Sequence, residues 1–79
     1  MKLREAKILF ESGAIYSPRI FMPSHRKGWS LEFISENKVP FKLYIEAERG
    51  GKRLFKTVNA AVKACTKIGC QSVVVEIKN

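Results

Sequence analysis

The sequence predicts an α+β fold. Three observations carry this expectation: two stretches with apolar residues at helical spacing, a central series in which large apolar and polar residues alternate, and turn-forming residues between them. The expected order is an N-terminal helix, an antiparallel meander of three to four strands, one packing helix and a C-terminal strand, or α-β-β-β-β-α-β. At 79 residues the chain falls below the ~100–200 of a typical domain, so residues 1–79 are expected to share one core.

Leu3, Ala6, Leu9 and Phe10 form the first helical stripe, and Ser12-Gly13 supplies a stop, which predicts a helix over 2–12. From Ala14 to Met22 the β-branched and aromatic residues Ile15, Tyr16, Ile20 and Phe21 favour a strand. Pro18 inside it implies an edge position or a bulge, because proline has no N–H for a second neighbour.

Pro23-Ser24-His25-Arg26-Lys27-Gly28 is a basic connection. After it Trp29, Leu31 and Phe33 alternate with polar positions, and beyond Ser35-Glu36-Asn37-Lys38 the same alternation returns at Phe41, Leu43 and Ile45. Both patterns describe strands buried on one face and paired as a hairpin, with Trp29, Phe33 and Phe41 expected in the core. Glu48-Arg49-Gly50-Gly51-Lys52-Arg53 is the clearest turn signal, since adjacent glycines reach the positive φ values that tight turns require.

A short strand is expected at Arg53 to Phe55. Thr57 then suits an N-cap for a helix with Val58, Ala61, Val62, Cys65 and Ile68 on one face, ended by Gly69. Gln71 to Ile77, with its Val73-Val74-Val75 run, reads as a well-buried final strand.

Charge narrows the function. Fifteen Lys+Arg against seven acids give a formal net charge of +8, and all seven acids are glutamates. A basic excess of this size attracts polyanions, so nucleic acid is the first expected partner, with an anionic membrane or an acidic protein behind it. The absence of aspartate removes the usual Asp-based metal and phosphoryl-transfer constellations. His25, the single histidine, has no ligand set around it in sequence, and the serines form no defined triad with it. No catalytic residue, metal or cofactor is therefore expected, and the chain is read as a non-enzyme. No apolar run approaches the ~20 residues of a membrane span, and Cys65 and Cys70 fit reduced thiols in a cytoplasmic protein.

In an antiparallel meander the first and third connections fall at the same end of the sheet. That topology would gather His25, Arg26 and Lys27 with Arg49, Lys52 and Arg53, a loop cluster suited to phosphate contacts. The solvent side of the two central strands offers Ser30, Glu32, Lys42, Tyr44 and Glu46, a weak platform for stacking bases.

Two resemblances add to this reading. Trp29-Ser30-Leu31-Glu32, Gly51-Lys52-Arg53, Phe55-Lys56-Thr57 and the helix alanines Ala61 and Ala64 look like the three-strand-plus-helix DNA-binding module of plant AP2 factors and phage-integrase arm-binding domains. That module inserts its sheet in the major groove, which implies Arg19, Trp29, Lys42 and Arg53 as contacts. The chain departs from it in an N-terminal helix, a strand near residues 40–47 and a strand after the second helix. Across nearly its whole length, from Met1-Lys2-Leu3 through Gly28-Trp29 and the Leu54-to-Val62 run to Ile68-Gly69, it is similar to small partition- or replication-associated proteins of plasmids and mobile elements.

The expected function is nucleic-acid binding in plasmid or mobile-element maintenance, through His25, Arg26, Lys27, Arg49, Lys52 and Arg53, with Lys42 and Arg19 as further contacts. The alternative is a protein-interaction module that docks on a larger protein, or on itself, through a sheet edge.

Overall fold

A computed structural model describes residues 1–24, 27–36 and 40–77. The order is α1 (Leu3–Glu11), β1 (Ile15–Phe21), β2 (Ser30–Glu36), β3 (Pro40–Tyr44), α2 (Val58–Ile68) and β4 (Val74–Glu76). The fold is α+β, as the periodicity predicts. The four strands form one sheet in the order β3-β2-β1-β4, antiparallel except for the parallel β1–β4 pair.

Both helices cover the same face of the sheet. Ala6 of α1 and Ala61, Ala64, Cys65 and Ile68 of α2 are buried against Ile15, Ile20, Leu31, Phe33 and Ile45. Small side chains on both helices let them pack together, and Phe10 meets Phe33 edge to face with ring centroids 6.0 Å apart. At the start of α1 the Glu5 carboxylate accepts the Lys2 backbone N–H at 2.9 Å. The Thr57 hydroxyl accepts the Ala60 N–H at 3.1 Å, the cap the sequence predicts, and a left-handed Gly69 ends α2.

β1 is an interior strand despite Pro18. Tyr16 pairs with Ile34 and Arg19 with Glu32, so Ser17 and Pro18 together oppose Phe33 in a bulge. Ser17 takes the left-handed φ of 52°, and β4 pairs only with Arg19 to Phe21, beyond the proline. Of the two alternatives for Pro18, the bulge holds.

Three expectations are corrected. Residues 53–55 form no strand: β3 ends at Tyr44, and one further hydrogen bond runs from the Ile45 N–H to the Leu31 carbonyl. The chain then loops out, bridges back on itself at Glu46 and Lys52, and returns so that Phe55 pairs with Trp29 in two hydrogen bonds of 2.7 and 2.8 Å. The final strand is exposed rather than buried, because it lies at a sheet edge with β1 on one side only; Val74 is 63% and Ile77 77% exposed. Phe41, on the opposite edge strand, is 46% exposed and stands outside the core, whereas Phe33 is fully buried and Trp29 packs half-buried against it. The parallel direction of β4 follows from α2. That helix carries the chain back along the sheet, so the next strand must run the same way as β1.

Candidate nucleic-acid interface

The turn after β3 is closed by its own backbone. The Ala47 N–H donates to the Gly51 carbonyl and the Gly50 N–H to the Ala47 carbonyl, both at 2.9 Å, which leaves Arg49 exposed at the tip. The Lys2 ammonium ties this turn to the start of α1 by donating to the Ala47 and Glu48 carbonyls at 2.7 Å. The Met1 ammonium pairs with Glu46 at 2.9 Å.

The first connection ends against the segment that follows the third. Gly28 lies against the returning segment, and a Cβ there would stand 3.0 Å from the Phe55 carbonyl oxygen and 3.1 Å from the Leu54 Cβ. Glycine is required at this position both by that approach and by its φ of 117°. Lys27, next in the chain, is exposed beside it. His25 and Arg26 lie outside the described residues.

Lys27, Arg49, Lys52 and Arg53 thus belong to one end of the sheet, but not to one face. Lys52 turns to the face without helices, with its ammonium 5.0 Å from the Tyr44 ring centre and 5.7 Å from that of Phe21. Arg53 turns the other way and lies over Phe55 at 4.6 Å, on the helix side.

The open face is also where Arg19 and Lys42 stand. Arg19 donates to Glu32 at 2.5 Å and to Glu76 at 2.6 Å and stacks over Phe21 at 4.2 Å. Burial alone lowers the guanidinium pKa, but hydrogen bonds to Glu76 and Glu32 outweigh it and the net direction is upward. Lys42 lies 3.9 Å from the same Glu32. The charges of these two expected contacts are thus met within the protein. The face is richer in aromatics than Tyr44 alone: Phe21 joins it because the bulge resets which β1 residues point outward.

On the helix side, Arg53, Lys63 and Lys67 rim a depression of about 220 Å³ with Ala60 and Ala64 as its floor and Leu3 and Phe55 at its wall. No acidic side chain lines it, and none of the three cations makes an ion pair among the described residues. Residues 60, 63, 64 and 67 share one face of a 3.6-residue helix, so half of this cluster could be read from spacing. Arg53's part in it depends on the Trp29–Phe55 pairing, to which no local pattern points.

Among the described residues no group of three or more His, Cys or Glu side chains is placed to hold a metal, and no helix is long and apolar enough to cross a membrane. No protein family, curated protein or solved structure matches this chain.

Proposed function

We propose that this chain is a small non-enzymatic domain that binds nucleic acid, DNA ahead of RNA, chiefly through phosphate contacts, and serves in the cytoplasm as an accessory in plasmid or mobile-element maintenance. The observation that carries the reading is the division of charge between the two faces. Arg19 and Lys42 on the open sheet face are met by Glu32 and Glu76, and Lys52 there lies over Tyr44 and Phe21, whereas Lys27, Arg49, Arg53, Lys56, Lys63 and Lys67, at the loop end and on α2, make no ion pair among the described residues. Unpaired cations, three of them around one depression beside α2, attract a polyanion and release its counterions on contact. The α2 side, rather than the sheet surface implied by the AP2-like resemblance, is the proposed interface.

Fluorescence anisotropy with a short DNA duplex tests this. About four to six phosphate contacts give a slope near −4 to −5 in log K against log salt. Absence of binding to duplex DNA, single-stranded DNA and RNA at low salt overturns it.

One observation favours the second reading, a protein-interaction module. β4 is a three-residue edge whose neighbourhood exposes Val74 and Ile77. Sedimentation across a concentration series reads self-association directly; a monomer at high concentration removes the homo-oligomer form of this alternative.

A further inference from the structure

We infer that the depression rimmed by Arg53, Lys63 and Lys67 is a seat for one phosphate group, the point at which a nucleic-acid backbone is anchored. The inference rests on the nucleic-acid reading for its partner but not for its chemistry. Arg53 presents a planar guanidinium with five N–H donors, and its carbon lies 4.6 Å from the centre of the Phe55 ring, a contact that favours keeping the side chain at this rim. Lys63 and Lys67, one helical turn apart on α2, line the same depression and add two ammonium-bearing side chains to it. Ala60 and Ala64 keep the floor low enough for an anion to approach all three. The space, about 220 Å³, equals that of about seven waters and admits a phosphate with part of its hydration shell.

Three like charges around one hollow repel each other in the folded chain, and a bound anion relieves that repulsion. Binding and stability are therefore opposed here. Replacing Lys63 and Lys67 by glutamine removes both the repulsion and the seat, so the variant folds at least as well while losing the ligand.

The test is a titration with inorganic phosphate, then pyrophosphate, followed by amide and Arg Nε–H resonances, with thermal melts in parallel. The expected result is saturable shifts concentrated at Arg53, Lys63 and Lys67, and a melting temperature that rises with phosphate. The Lys63→Gln/Lys67→Gln variant is expected to melt no lower than the parent at low salt and to lose the phosphate response. Shifts spread evenly over Lys2, Lys7 and Lys56, or an unchanged response in the variant, overturn the seat.

A duplex DNA arm separates the two proposals. If DNA binds the parent and the double variant equally, the seat falls and the nucleic-acid reading stands. If phosphate localises at the three residues while no nucleic acid binds, the seat stands and that reading falls. The joint expectation is a DNA affinity lowered at least fivefold in the double variant, with a salt slope shallower by about 2.

Discussion

Lys52 and Arg53, adjacent in sequence, stand on opposite sides of the protein: the first lies over Tyr44 and Phe21 on the open sheet face, the second over Phe55 beside α2. The two cations therefore have different work. Arg53→Gln is expected to lower DNA affinity threefold or more with little change in stability. Lys52→Gln is expected to leave affinity within twofold and to cost about 0.5–1 kcal/mol from lost ring contacts. Anisotropy and chemical denaturation on the two variants read both; equal affinity losses would contradict the assignment.

Arg19 holds the open face together. Glu32 is only 8% exposed, and without Arg19 its nearest cation is Lys42 at 3.9 Å. Arg19→Met should cost about 2–3 kcal/mol in urea denaturation, because it leaves a largely buried carboxylate without its main partner. Adding Glu32→Leu should recover most of that loss. A double variant as unstable as the single one would place the cost in Arg19's packing over Phe21 instead.

Acid weakens the contact between chain start and turn. The Met1 ammonium, by hydrogen bond and by charge, holds the Glu46 carboxyl below the usual glutamate range, and Lys2 adds to it. A lowered folded-state value means the stabilisation is complete above the unfolded pKa of about 4.3 and fades as pH falls through the folded one. Thermal melts from pH 7 to 3 should show Glu46→Gln less stable than the parent at neutral pH, with the gap closing in acid. A gap independent of pH would refute the linkage.

The two thiols should label in sequence. Burial pushes the Cys65 thiol far above its ordinary range, and its hydrogen bond with Cys70 pushes it further; burial also raises Cys70, with the bond to Cys65 pulling it back. At pH 8 a thiol reagent should modify half-buried Cys70 slowly and Cys65 only on unfolding. Mass spectrometry of the native protein decides it, and early label on Cys65 is the contrary result.

Ser30 is fully buried, and its hydroxyl finds no hydrogen-bond partner among the described residues. Ser30→Ala should be neutral or stabilising by up to about 1 kcal/mol, since it removes a desolvated group and no bond. A drop in melting temperature would reveal a partner for this hydroxyl.

The helices were legible because each carries its own signals: the Thr57 cap, the Gly69 stop, and the spacing of Ala61, Ala64, Cys65 and Ile68. The hairpin of β2 and β3 was legible from alternation. What could not be read was position in the sheet. Val73-Val74-Val75 has the same composition in a buried strand as at an edge, and only the return path of α2 decides between them. The candidate site divides in the same way. Topology brought Lys27 to the returning segment, but the face chosen by Lys52 and Arg53 depends on a loop that leaves β3 after Tyr44, bridges back at Glu46 and Lys52, and meets Trp29 at Phe55.

Ile15 and Ile20 are five residues apart, an odd step that sends side chains to opposite sides of a regular strand, yet both are fully buried. The extra residue at Ser17 and Pro18 restores parity, and it also turns β1 away from the path β4 would need to continue its pairing past Arg19. A single inserted residue thus caps the length of the ladder on that flank. The edge that β4 presents is therefore three residues long, which limits any strand that pairs there to a short ladder.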